Sequence, residues 1–122
     1  ADHGTGLGEH GKYGGFLPYE EQIRVPLLLQ LPGFAARRIP APVASLDVAP
    51  TFLALFEPGG RNPYDGWSLL ELAGGRAERL PRRYLFSFCA FEDALALIDL
   101  ESEWKLHLHR QARYFHLYDL RA

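Results

Sequence analysis

The chain has no methionine, a single cysteine at Cys89, and no apolar run longer than stretches such as Val25 to Leu29. One thiol cannot close an internal disulfide, so a disulfide scaffold is excluded and the redox compartment is left open. The apolar runs fall far short of the roughly 20 residues that a membrane-spanning helix needs. An excess of basic charge is missing too: 13 Lys and Arg stand against 15 Asp and Glu, for a formal net charge of −2. Binding a polyanion takes a clustered basic surface, and Arg37-Arg38 and Arg82-Arg83 are isolated pairs that read as solvated surface. Nucleic acid is therefore not an expected partner. With Ala1 at its head and no methionine, the chain reads as an excised or processed piece. Phe86, Phe88 and Phe91 around Cys89 predict a buried, inert thiol.

What is present suits one small globular domain. A length of 122 residues with 48% hydrophobic and 23% charged side chains supports a modest core. Residues 1–18 are glycine-rich and predict an irregular loop. Ile23 to Leu31 is apolar nearly throughout and ends at Pro32-Gly33, which predicts a strand buried on both faces of a parallel α/β sheet. Pro26 moves that strand to an edge, or moves its start to Leu27.

After a connector holding Pro40 and Pro42, Ser45 or Asp47 can cap a helix through Val48, Phe52, Leu53 and Phe56. Pro50 falls in its first turn, where a missing N–H costs little, and Glu57-Pro58-Gly59-Gly60 ends it. Asp65-Gly66-Trp67-Ser68 leads into a short helix, Leu69 to Leu72, stopped by Gly74-Gly75.

From Tyr84 the period changes to two. Four strands are predicted, at 84–90, 94–100, 103–109 and 113–120, joined by tight turns. Matching side chains sets the last pair: Leu106 faces Leu117 and Leu108 faces Phe115, which puts His107 opposite His116 on the other face. A meander with one face packed on the preceding helices follows. The fold class is α/β giving way to antiparallel β, with the division between residues 1–80 and 81–122.

Several constellations carry possible chemistry. Adjacent Asp2 and His3 can both reach one divalent cation where the backbone bends sharply, and Gly4 permits such a bend. Oxygen-dominated sites favour Ca²⁺, Mg²⁺ or Mn²⁺, while more imidazole shifts the preference toward Zn²⁺ or Mn²⁺. Glu20 and Glu21 resemble an acid/base couple, but neighbours in sequence point apart, so surface or loop-anchoring roles are favoured. Gly4-Thr5-Gly6-Leu7-Gly8 lacks the preceding strand and following helix of a dinucleotide site. His107, His109 and His116 suggest an adventitious Zn²⁺ site; the solvated face of a hairpin is the favoured reading.

Asp2-His3-Gly4, Gly8-Glu9-His10-Gly11, Tyr19-Glu20-Glu21 and Arg24-Val25-Pro26 follow one another in order. Leu46-Asp47-Val48-Ala49-Pro50-Thr51, Asp65-Gly66-Trp67-Ser68, Trp104-Lys105-Leu106 and Leu117-Tyr118-Asp119-Leu120 come after them. This series resembles the sulfatases, a branch of the alkaline phosphatase superfamily, over nearly the whole chain. The resemblance implies the C-terminal part of an alkaline-phosphatase-like α/β core followed by a small four-stranded antiparallel subdomain. It implies a divalent metal, Ca²⁺ first with Mn²⁺ or Zn²⁺ as alternatives, with Asp2 and His3 among its ligands. It also implies a sulfate- or phosphate-ester substrate. The family's nucleophile motif and two early Asp ligands have no counterpart here, so an N-terminal portion of the same fold is the implied partner, and the chain by itself is expected to be inactive. His10 and Lys12 are candidate substrate contacts, although His10 can equally orient the glycine loop. The family's anion-contacting Lys or His falls at or near Gly15, three residues beyond Lys12. The alternative is a stand-alone, non-catalytic binding or assembly module derived from the same fold.

Overall fold

A strand pattern that repeats every ten residues builds the largest element of the protein. In the computed structural model, which describes residues 1–15 and 17–122, the elements begin with β1 (Gly6–Leu7), β2 (Tyr13–Gly14) and α1 (Glu20–Ile23). α2 (Val48–Phe56), α3 (Leu70–Ala73), β3 (Tyr84–Cys89), β4 (Ala94–Asp99), β5 (Trp104–His109) and β6 (Tyr114–Asp119) follow. Short 3-10 turns occupy Glu9–Gly11 and Ser45–Asp47. These elements divide between two compact units, one made of Ala1–Leu28 with Arg82–Ala122 and the other of Leu29–Pro81.

In the first unit β3, β4, β5 and β6 form an antiparallel meander in chain order. Each four-residue turn ends on a residue in the left-handed region: Asp93 (φ 44°), Glu103 (φ 57°) and Arg113 (φ 53°). That step lets a turn meet the right-handed twist of its strands, at some cost for a residue with a Cβ. The predicted register holds, with Leu106 against Leu117, Leu108 against Phe115 and His107 against His116.

The predicted inside and outside do not hold. Lys105, His107 and His109 are the buried face of β5, joined by Ala94 and Ala96 of β4. The opposite, apolar face is exposed, with Phe86 at 65% and Phe115 at 69%. Tyr19 and α1 lie over the histidine face and supply the edge-on ring contact and the ion pairing that make its burial favourable. The histidines are therefore not a solvated hairpin face. Cys89 is half-buried and belongs to the histidine face, while Phe86, Phe88 and Phe91 are exposed.

A second difference concerns residues 23–31. Ile23 ends α1, and no described strand pairs with the segment that follows, where Leu27, Leu28 and Leu29 are exposed. An apolar strand needs neighbours for its N–H and C=O groups, and among the described residues no strand stands beside this segment.

The other unit packs Leu69, Leu72 and Leu80 against Ile39, Ala41, Val43 and Ala77. Asp47, fully buried, does not cap α2. Its carboxylate instead accepts from the amides of Ala44 and Trp67, both at 2.8 Å. Thr51 donates to the Asp47 carbonyl at 2.6 Å and accepts from the Leu69 amide at 2.9 Å. A Cβ on Gly66 would lie 2.0 Å from the Leu46 carbonyl oxygen, so only glycine lets this loop close on the start of α2. The apolar stripe of α2 stays open, with Phe52 and Phe56 exposed.

Candidate functional site

The Asp2–His3 turn is held by its contact with α1. The Gly4 amide donates to the Gln22 carbonyl at 2.7 Å, and a Cβ on Gly4 would lie 2.0 Å from the Glu21 carbonyl oxygen. Only a glycine backbone approaches this closely. His3 Nδ1 stands 2.8 Å from the Gly4 carbonyl oxygen. A carbonyl only accepts, so Nδ1 carries the proton and Nε2 keeps its lone pair. That nitrogen lies 3.9 Å from Asp2 Oδ2, and both side chains face solvent. The amides of Asp2 and His3, and then the neighbouring imidazole, hold the Asp2 carboxyl below the ordinary carboxylate range. One carboxylate oxygen and one imidazole nitrogen thus present themselves side by side. This donor pair suits part of a divalent-cation site; among the described residues no group of three His, Cys, Asp or Glu side chains is arranged to hold a metal.

Gly15 lies against this pair. A Cβ there would stand 3.6 Å from His3 Nδ1, an ordinary contact distance. The position where the sulfatase resemblance puts an anion-contacting side chain therefore adjoins the His3 ring and holds none.

His10 and Lys12 lie in the turn between β1 and β2. Residues Gly6–Leu7 pair with Tyr13–Gly14, and the turn between them places His10 in the left-handed region at φ 55°. The His10 ring stacks on Tyr19 with centroids 3.9 Å apart and planes 11° from parallel. Its Nε2 is 4.0 Å from a Glu21 carboxylate oxygen that is buried without a hydrogen bond among the described residues. Lys12 is exposed, and its charge helps push the His109 imidazole down.

Tyr19 continues the stack inward. It meets His107 edge-on at 5.0 Å, His107 stacks on His109 at 4.7 Å, and His109 stacks on Tyr114 at 4.3 Å. His107 is 1% exposed and His109 5%, and neither Nε2 has a hydrogen-bond partner among the described residues. Burial, and then the neighbouring His109, Lys105, His116 and His10, push His107 down to about 4. Burial likewise lowers His109, and burial with the Tyr118 hydroxyl raises Tyr19 to about 12. Burial thus keeps both imidazoles neutral ring-stacking partners, and among the described residues they join no group of three His, Cys, Asp or Glu side chains arranged to hold a metal. Below them Lys105, 2% exposed, donates from Nζ to Glu20 Oε1 at 2.8 Å. Sequence reading passed over Lys105, although a charge at an inward period-two position, aligned with His107, is a visible signal.

Residues 8–122 match the family described as N-sulphoglucosamine sulphohydrolase, C-terminal. The chain belongs to this sulfatase family, as a C-terminal portion. The match starts at Gly8, so the Asp2–His3 turn precedes it. The chain is also similar to the extracellular sulfatase SULF-1 homolog of Drosophila melanogaster, with 36% identity over 74 residues. That alignment covers 59% of this chain and 7% of the relative, so the chain corresponds to a small part of that sulfatase's length. Within the sulfatase portion, the Leu46–Thr51 and Asp65–Ser68 motifs do architectural work through Asp47, Thr51 and Gly66, whereas Tyr19-Glu20-Glu21 and Trp104-Lys105-Leu106 meet across the face of the sheet. No described helix is long and apolar enough to cross a membrane.

Proposed function

We propose that this chain is the C-terminal part of a metal-dependent sulfuric ester hydrolase, and that Asp2 and His3 are two of the ligands of its divalent cation. The observation that carries this reading is the free Nε2 of His3 beside the Asp2 carboxylate, on a turn fixed by Gly4. Ca²⁺ is the first candidate, with Mn²⁺ or Zn²⁺ next. When bound, such a cation polarises a sulfate or phosphate ester and activates a nucleophile. Asp2 contributes charge to it, His3 contributes a neutral nitrogen, and the Gly4 carbonyl holds the imidazole in the required tautomer.

The nucleophile and remaining ligands belong to an N-terminal portion of the fold, with residues 1–80 contributing to its α/β core and residues 81–122 forming an antiparallel subdomain on which residues 1–28 pack. The exposed Leu27–Leu29 segment, the Phe52 and Phe56 stripe and the bare sheet face support this over a stand-alone module, because each is an apolar surface that a larger core would cover. Gly15 supports the module reading, since a side chain there would reach the His3 ring.

The test is complementation. The chain alone should not turn over an aryl sulfate or aryl phosphate. Co-expressed with an N-terminal sulfatase portion it should support metal-dependent turnover, and Asp2→Ala should bring that to background. Metal-dependent turnover by the isolated chain, lost in Asp2→Ala, would refute the claim of inactivity. Full activity of the complemented Asp2→Ala variant would remove Asp2 from the ligand set.

A further inference from the structure

The turn that carries Asp2 and His3 rests on a helix too short to hold itself. α1 has four residues, about one turn, and helices of that length are not stable on their own in water. Its contacts explain why it persists. Gln22, almost fully buried, accepts the Leu17 amide on its side chain at 2.9 Å, and the Gln22 carbonyl accepts the Gly4 amide. At the other end Glu20, the first helical residue, receives Lys105 Nζ. Lys105 stands in the middle of the sheet between Ile98 and Tyr118, in a position where an ammonium loses nearly all its water. An ammonium is kept in such a place only by a charged hydrogen-bond partner. The pair spans 85 residues of sequence and ties β5 to the N-terminal segment.

We propose that the Lys105–Glu20 pair is the positioning device for the Asp2–His3 turn. The chain of contacts runs from Lys105 to Glu20, through one turn of α1 to the Gln22 carbonyl, and from there to the Gly4 amide next to His3. Lys105 touches neither candidate ligand. It fixes α1 against the sheet, and α1 sets where Gly4 lies. The proposal rests on the reading of Asp2 and His3 as metal ligands for its functional meaning, while its structural content can be measured without any metal.

The experiment is native-state hydrogen exchange on the 122-residue chain, following the Gly4 amide beside the amides of the β4–β5 ladder. Lys105→Met keeps an unbranched side chain of similar length without the charge, and Glu20→Gln keeps shape at the partly exposed end of the pair. In Lys105→Met, which removes the buried charge, Gly4 exchange should accelerate by roughly tenfold to hundredfold, the range expected for losing a hydrogen bond between charged groups, while ladder amides stay protected. Glu20→Gln leaves the ammonium unpaired and should accelerate it at least as much. The double variant should lose no more than either single one. Gly4 protection equal to that of the unmodified chain in a folded Lys105→Met protein overturns the proposal, as do losses that simply add in the double variant. If either single variant does not fold, the double variant, which leaves no unpaired buried charge, decides, since a purely global role would lower Gly4 and ladder protection together. Mn²⁺-induced broadening of the His3 ring protons, present in the unmodified chain and absent in Asp2→Ala, reads the metal-ligand assignment separately. Its failure leaves the Gly4 result standing.

Discussion

Acid should loosen the histidine face of the sheet, and the size of the effect follows from His107. Its imidazole is 1% exposed and held at about 4, while an unfolded chain protonates histidine near 6.5. The native state therefore keeps this ring neutral where the unfolded state has charged it. The stability contributed is whole above about pH 6.5 and is lost as pH falls toward 4. Linkage between those two values gives a loss of about 2 kcal/mol on going from about pH 7.5 to about pH 5, and about 3 kcal/mol at about pH 4. His109, also lowered by burial, adds in the same direction. The other groups around the ring are Lys105, His116, His10, Tyr19 and Tyr118, Glu21 acts on Tyr19, and Glu92 opposes the shift at His109. The assay is urea unfolding across this pH range for the unmodified chain and for His107→Phe, which keeps a ring against Tyr19 and His109. Asp99 and Asp119, held low by Arg83 and Arg121, lose stability over acid pH in both proteins and so cancel in the comparison. The variant's curve should be flatter by about 2 kcal/mol between those pH values. Two parallel curves would refute the argument, because they would mean that His107 protonates as readily folded as unfolded.

Other consequences can be checked with single substitutions. Asp47→Ala strips two part-buried amides of a charged acceptor and should cost about 2 kcal/mol, read as a lower urea midpoint; a change below about 0.5 kcal/mol would show that the Asp65–Ser68 loop is held by something else. Glu103→Gly removes a Cβ from a left-handed turn position and should raise stability by about 0.5 kcal/mol, after the entropy gained by the unfolded chain is subtracted. A lower melting temperature in that variant would contradict it. Phe86→Thr with Phe115→Thr should change stability by less than about 1 kcal/mol yet reduce self-association in sedimentation, because both rings lie on the exposed sheet face.

How far the fold could be read depended on whether the deciding interactions were local. The four strands and their register came from alternation and from turns ten residues apart, and both are written in neighbouring residues. The extents of α2 and α3 came from proline in a first turn and glycine past an end. The inward face could not be read that way. Leu106, Leu108, Phe115 and Leu117 look like core, yet the side that packs is Lys105, His107 and His109, because Tyr19 and Glu20 arrive from more than eighty residues away, the ring to meet His107 edge-on and the carboxylate to pair with Lys105. Hydrophobicity ranks side chains one at a time, whereas a buried imidazole stack is favourable only as a set. Residues 23–31 misled for the converse reason: their composition is that of a central strand, but a strand exists only beside others. At the candidate site, Asp2 and His3 were visible as adjacent ligand types, while the tautomer of His3 and the bare position at Gly15 needed three dimensions.

The discontinuity of the first unit has a bearing on the order of events during synthesis. Glu20 leaves the ribosome long before Lys105, and the two are separated by 85 residues. At roughly 5–20 residues per second, the N-terminal segment waits about 4 to 17 seconds for the strand that receives it. During that interval α1 lacks its Lys105 contact, and local contacts to Leu17 and Gly4 are what it has. The whole of residues 29–81 can be made, and can fold, first. A translation pause or a nonsense codon anywhere in the last two strands would therefore be felt at the opposite end of the chain, in residues synthesised and apparently finished long before.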